Sequence, residues 1–448
     1  MRLVILGGGG FRVPLVYGAL LRDTSERRID SVQLYDVDEG RLGAIAHVLH
    51  QMAAAAPREV PPPVVHTTTD LDEALRGADF VFSAIRVGGL AGRTADERVA
   101  LELGVLGQET TGPGGLAYGL RTVPVAVDVA QRVKELAPDA WLINFTNPAG
   151  MITEAMQAVL GPRVIGICDS PIGLGRRAAR ALGLAPEDTS FGYAGLNHLG
   201  WLRGLTHRGI DVLPQLVGDP ARLRTIEEGR LFGPKWIASI GAIPNEYLHY
   251  YYFTRDAVTS MSGGPETRGE FLLTQQRRFY DAVSARPGDA YAVWDQVRHE
   301  RDATYMKESR GQGEQRDAVD VEGGGYEGVA LAIMAAIARN ERAAMILNVR
   351  NGSTLAGLPA EAVVEVPCTV DADGAHPLAA APLDAHPLGL VQQVKAVEQL
   401  VIEAARTRSA ARATEAFALH PLVDSVTVAR LLLAGYRARI PEVDALFT

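Results

Sequence analysis

Met1-Arg2-Leu3-Val4-Ile5-Leu6-Gly7-Gly8-Gly9-Gly10-Phe11-Arg12-Val13 opens the chain, and its order of residue types decides the fold. Leu3 to Leu6 is an uninterrupted apolar run of strand length, as in a strand buried on both faces. Four glycines follow at once, and Val13 to Leu21 continues as a helical stretch. Glycine permits a tight turn and lets backbone N–H groups approach a pyrophosphate at a helix N-terminus. A flexible turn would show the same glycines, and Arg12 stands where the third glycine of the strict G-x-G-x-x-G fingerprint would be. The next strand, Val32 to Tyr35, ends at Asp36. There a carboxylate can accept hydrogen bonds from a ribose 2′-hydroxyl and repel a 2′-phosphate. Strand, glycines, helix, strand and acid in that order predict a dinucleotide site built from Gly7, Gly8, Gly9, Gly10, Phe11, Arg12 and Asp36, with NAD favoured over NADP.

The same rhythm continues outward. Leu71 to Arg76 reads as a helix and Phe80 to Ala84 as a strand; Trp141 to Phe145 and Val164 to Ile167 are further strands, each ending at a polar or glycine-rich corner. Alternating strands and helices predict βαβ units around a doubly wound parallel sheet, Rossmann-like and similar to the lactate and malate dehydrogenases, with ligands at the carboxyl ends of the strands. From about Asn197 the rhythm changes. Helical stretches at Glu270 to Ser284 and Gly328 to Arg339, and strand-like pieces at Thr354 to Ala356 and Ala362 to Val366, predict a second, α+β domain. The expected division is 1–196 for NAD binding and 197–448 for substrate binding and oligomerisation. Asp371 to Pro387 reads as a surface loop, and Leu390 to Arg406 as a core-packing helix with an apolar stripe.

A chain of 448 residues is long enough for two cores. Its 44 Lys and Arg against 53 Asp and Glu give a net charge of −9 with the signs interleaved. That pattern speaks against a nucleic-acid partner. Two cysteines cannot form a disulfide framework and fit a reducing compartment. The start lacks the apolar stretch and cleavage site of a signal peptide, and no apolar run reaches about 18 residues, so a soluble, cytoplasmic protein without a membrane partner is expected.

Cys168-Asp169-Ser170-Pro171 lies at the end of a strand, and Asn197-His198-Leu199-Gly200-Trp201 follows thirty residues later. Each would be an ordinary buried residue if taken alone. Together they offer a thiolate and an imidazole, too few for a closed zinc site but enough for an open one that leaves positions for water and substrate oxygens. Polar corners at Arg86 to Gly89, Arg93 to Arg98, Gly107 to Gly115 and Asn144 to Pro148 gather at the same edge of the sheet.

This ordered set resembles glycoside hydrolase family 4, especially its bacterial 6-phospho-β-glucosidases. GGGGFRVPL (7–15), the Arg93–Glu97 segment, GQETTGPGG (107–115), NFTNPA (144–149), Cys168 to Pro171, NHLGW (197–201), IPNEYLHYY (243–251) and Asn351 to Pro367 carry the resemblance over nearly the whole chain. It implies an NAD- and Mn2+-dependent mechanism, the exception among glycosidases to the two-carboxylate scheme. NAD+ oxidises the sugar at C3, a tyrosinate removes the acidified C2 proton, the C1 leaving group departs, water adds and the hydride returns. It assigns Cys168 and His198 to the metal and Tyr247 to the base. Asp169 corresponds to an acid that assists the leaving group, and Arg93, Asn147 and Arg268 to contacts with the phosphorylated sugar. A phenol titrates near pH 10 in water (about 10), so a base of this kind needs a cation beside it. Asp169 matches the α-specific branch, where β-specific members usually carry Asn; the Tyr247 and N-terminal segments look β-specific. The resemblance further implies a homo-oligomer, dimer or tetramer. Alternatives are a 6-phospho-α-glucosidase, a hydrolase of non-phosphorylated hexosides or uronides, a 2-hydroxy-acid dehydrogenase, and a catalytically silent NAD-binding sensor.

Overall fold

The computed structural model describes residues 1–56, 59–303 and 325–448. Its strands are β1 (Arg2–Leu6), β2 (Ser31–Tyr35), β3 (Val64–Thr68), β4 (Phe80–Ser83), β5 (Trp141–Asn144), β6 (Val164–Gly166), β7 (Thr189–Leu196), β8 (Leu199–His207), β9 (Ile210–Asp211), β10 (Ile243–Pro244), β11 (Ala343–Arg350), β12 (Val363–Asp371) and β13 (Gly374–Pro377). Among the described residues they form one sheet, ordered β10-β8-β7-β12-β11-β6-β5-β4-β1-β2-β3, with β13 added to β12 and β9 to β8. The run β3-β2-β1-β4-β5-β6 is parallel throughout, the doubly wound order whose strand direction of travel reverses between β1 and β4 and opens a crevice there.

The apolar run of β1 is buried as expected, and its side chains alternate between the two faces. Leu3 and Ile5 enter one core, while Val4 and Leu6 enter the core on the opposite face. The five strands expected before residue 170 lie within a residue or two of their places, and the piece expected at Ala362 to Val366 is the first half of β12, which runs on to Asp371. β3 had no such run because it is an exposed edge strand, and its valines and threonines face solvent for the most part.

From β6 onward the sheet turns antiparallel. β11, β12, β7, β8 and β10 extend it past β6, so the later strands lengthen the early sheet. Two readings of the sequence need correction. Thr354 to Ala356 is a turn, pinned by Asn351, whose Nδ2 donates to the carbonyls of Leu355, Leu358 and Pro359 at 3.1, 3.3 and 3.2 Å; the strand lies before it, at Ala343–Arg350. Asp371 to Pro387 is a loop only in part. It begins with the turn of the β12–β13 hairpin, where Gly374 adopts φ +102°, and its last residues open the helix Ala385–Thr407. That helix buries Val391, Val394, Val397 and Val401, the apolar stripe read from the sequence. The helices expected at Glu270 to Ser284 and Gly328 to Arg339 lie within Arg268–Ala285 and Tyr326–Arg339. No helix among the described residues is long and apolar enough to cross a membrane.

Candidate active site

A cleft of about 870 Å³ opens along the carboxyl ends of β1, β2, β4, β5 and β6. At its β1–β2 end, the N–H groups of Gly7 and Gly8 both donate to the Tyr35 carbonyl at 2.9 and 2.7 Å, which folds the glycine turn onto β2. Side chains here have no room. A Cβ on Gly8 would meet Leu34 Cβ at 2.7 Å, and one on Gly9 would meet Arg41 Cβ at 2.8 Å. Gly7, at φ +83°, sits where an L side chain would be strained and would reach the Ala84 carbonyl at 2.7 Å. Asp36 accepts from the Gly9 N–H at 3.0 Å, so it braces the turn as well as facing the cleft. Gly7, Gly10, Phe11, Arg12 and Asp36 line the cleft; Gly8 and Gly9 lie beneath it as packing. A backbone cradle that Cβ atoms would fill, a helix N-terminus and a carboxylate at the second strand suit a dinucleotide.

The other end holds Cys168, Asp169, His198, Asn147 and Tyr247, all lining the same cleft. Cys168 and His198 are 5% and 8% exposed. β7 and β8 form a hairpin with Leu196 opposite Leu199, which leaves Asn197 and His198 as a two-residue loop. His198 there adopts φ +62°, a conformation that glycine or asparagine takes far more readily. The histidine is kept at some conformational cost, which marks it as a functional candidate. Its Nδ1 lies 3.2 Å from the Thr110 hydroxyl, leaving Nε2 to face elsewhere. Burial pushes its imidazole down to about 3, with Glu109 opposing, so the ring is neutral and able to ligate. The Cys168 thiol is pushed up by burial, then by the charges of Glu365 and Asp169. A divalent cation would reverse that balance, since a coordinating thiol is deprotonated. Asn147 Oδ1 is buried with no hydrogen-bond partner among the described residues. A soft thiol, a neutral imidazole and an unsatisfied amide oxygen suit a divalent metal with open positions.

Tyr247 lies on a short 3-10 turn, Glu246–Leu248, capped by Asn245, whose Oδ1 accepts the Tyr247 N–H at 3.1 Å. Its ring stacks on His198 with centroids 3.6 Å apart and planes 6° from parallel. Tyr250 lines the cleft as well. Tyr252 instead accepts from Trp201 Nε1 at 3.1 Å, and Tyr251 lies against His420.

Between the two ends stands a cluster of guanidinium groups. Arg93 is clamped by Glu97 at 2.9 Å and Glu109 at 2.7 Å. Glu97 also accepts the Gly269 N–H at 2.7 Å, fixing the start of the helix that carries Arg268. Arg268 donates to the Arg301 carbonyl at 3.0 Å. Arg301 is disfavoured as a cation by burial, then by Arg12, Arg268 and Arg93. Four basic groups close enough to perturb one another, inside a cleft, suit a multiply charged anion. The sequence reading assigned Arg12 to the cofactor and missed Arg301. Arg12 lies over the Tyr326 ring at 5.4 Å, at the junction of both regions.

The family 4 glycosyl hydrolase model matches residues 2–184, and the family's C-terminal domain matches residues 193–423. The chain is 31% identical over 454 residues to a probable 6-phospho-beta-glucosidase of Bacillus subtilis, covering 99% of this chain and 98% of that one. It is also 31% identical to the maltose-6′-phosphate glucosidase of the same organism, covering 96% and 94%. Among solved structures, the 6-phospho-beta glucosidase of Thermotoga maritima with manganese, NAD+ and glucose-6-phosphate superposes with a TM-score of 0.81 at 27% identity, over 98% of both chains. The dehydrogenase reading gives way to these matches: the chain belongs to glycosyl hydrolase family 4.

Proposed function

We propose that this protein hydrolyses 6-phospho-glycosides, 6-phospho-β-glucosides foremost, using NAD and Mn2+. The observation that carries the reading is the Tyr247 ring stacked on His198 at 3.6 Å, in one cleft with Cys168, Asp169 and the guanidinium cluster. The glycine turn and Asp36 hold the dinucleotide, and Cys168 and His198 hold the metal. When bound, these groups supply a reversible hydride acceptor and a Lewis acid. Tyr247 takes the proton from C2 of the sugar, and a cation held at the His198 it stacks on would favour its phenolate form. Arg12, Arg268 and Arg301, with Arg93 and the Nδ2 of Asn147, hold the phosphorylated end of the sugar and fix C2 before Tyr247. Asp169, at the N-terminus of the Ser170–Ala181 helix, faces the leaving group.

Asp169 supports a second reading, the 6-phospho-α-glucosides. Hydrolysis of p-nitrophenyl α- and β-glucoside 6-phosphates, with NAD+ and Mn2+ each supplied or withheld under reducing conditions, separates the two. The expected result is turnover of the β-substrate that needs both additives and accumulates no NADH. Preference for the α-substrate would transfer the assignment to the second reading, and no turnover of either would remove the phosphorylated substrate. The reading extends to a reducing, cytoplasmic setting, supported by two buried free thiols, and to a homo-oligomer, which sedimentation would measure.

A further inference from the structure

The join between the parallel and antiparallel parts of the sheet is narrow. β6 meets β11 at one residue pair, Gly166 with Asn348, and β12 meets β7 at one pair, Glu365 with Gly195. Asn348 and Glu365 are themselves partners, so Gly166, Asn348, Glu365 and Gly195 form a single row across four strands. Cys168 follows this row by two residues on one side, and His198 by three on the other. The row therefore sets how the thiol stands relative to the imidazole.

Glu365 occupies the middle of it and is 0% exposed. Its Oε1 accepts from Asn348 Nδ2 at 2.8 Å and from Asn197 Nδ2 at 3.2 Å. Its Oε2 accepts from the Tyr193 hydroxyl at 3.3 Å. Asn197 is the other residue of the hairpin loop that carries His198 in its left-handed conformation. Among the described residues the side chains that donate to Glu365 are all neutral, and burying a carboxylate among neutral donors is costly.

We infer that Glu365 is a positioning residue for the metal corner, holding the His198 loop in register with Cys168 through Asn197 and Asn348. The inference rests on the reading that Cys168 and His198 hold the metal, and the variants separate the two. Mn2+ binding to metal-stripped protein is measured by the EPR signal of the free ion, alongside NAD+ affinity and the melting temperature of the metal-free form. Glu365→Gln keeps the size but sets an amide N–H against the donors of Asn348, Asn197 and Tyr193. It is expected to weaken Mn2+ binding about 10- to 100-fold, as loss of an outer partner does, with NAD+ affinity unchanged. His198→Ala is expected to lose Mn2+ binding altogether. Wild-type Mn2+ affinity in Glu365→Gln, with binding lost in His198→Ala, would overturn the inference alone, even if the metal-free protein melted lower. Wild-type Mn2+ affinity in His198→Ala would overturn the metal reading and the inference with it. If Glu365→Gln does not fold, Asn197→Ala decides, because it cuts one bond at a half-exposed position. About 2- to 10-fold weaker Mn2+ binding is expected there, the worth of a hydrogen bond, and an unchanged affinity would overturn the inference.

Discussion

The two ends of the cleft are built in opposite ways. At the cofactor end, the glycine turn and Asp36 come from one βαβ unit, and the contacts that shape them run between neighbouring parallel strands: Gly7 and Gly8 to Tyr35, Gly9 to Asp36. At the end proposed to hold the metal, Thr110, Cys168, His198, Tyr247 and Glu365 come from five distant segments, placed by two narrow sheet junctions and a helix start. A local site is fixed by turn geometry, so damage to it should stay local. A site assembled from distant strands depends on register, so damage there should spread to everything the register holds.

The sharpest contrast is expected from His198→Ala. On the proposed assignment of His198 to the metal, its loss removes several kcal/mol of transition-state stabilisation, so turnover should fall about a thousandfold or more, while NAD+ titration gives the wild-type affinity. Weakened NAD+ binding would show that the two ends are not independent. Tyr247→Phe should come next. Losing a general base costs about 100- to 10,000-fold, and exchange of the C2 proton with deuterated solvent should slow by the same factor. If exchange continues at the wild-type rate, Tyr250 takes the role, since it also lines the cleft.

Asp36→Ala tests the local end. Loss of charge-assisted hydrogen bonds to the Gly9 N–H and the ribose costs about 1.5–3 kcal/mol, so NAD+ affinity should drop about 10- to 150-fold with Mn2+ affinity intact. An unaltered NAD+ affinity would remove Asp36 from the site.

What the sequence revealed follows the same division. The cofactor end was legible because β1, the glycines and Asp36 lie in one short stretch whose residue types can be read in order. Cys168, His198 and Tyr247 were legible as members of a recognisable motif set, while their meeting was not, because nothing in the spacing of 168, 198 and 247 encodes β7 lying beside β12. Arg301 was missed because it sits on an ordinary charged helix, Ala290–Ala303, whose inward face is set by Arg12 and Arg268. Glu365 was missed for a related reason. In Val363-Val364-Glu365-Val366 an alternating pattern places the glutamate on a solvent face, and it is buried only because strands flank β12 on both sides and Asn348 and Asn197 close over it. A lone acid in a valine run was the available signal.

The last effect, read on stability and not on turnover, lies where the two ends meet. Glu109 bridges Arg86 at 2.7 Å and Arg93 at 2.7 Å, and the next residue, Thr110, touches His198. Burial would raise its carboxyl, but Arg86 and Arg93 outweigh burial and hold it down at about 2. An unfolded glutamate titrates near pH 4.3 (about 4.3). A carboxyl lowered on folding stabilises the folded state fully above the unfolded value and loses that contribution as pH falls toward the folded one. Thermal melts of the wild type and Glu109→Gln should therefore differ by a constant amount above pH 5. The gap should close between about pH 4.3 and pH 2, because acid removes from the wild type the charge that the variant already lacks. A gap that stays constant through this range would mean that the loop is held by its packing and not by the two arginines, and the link between the ends would then run through Thr110 alone.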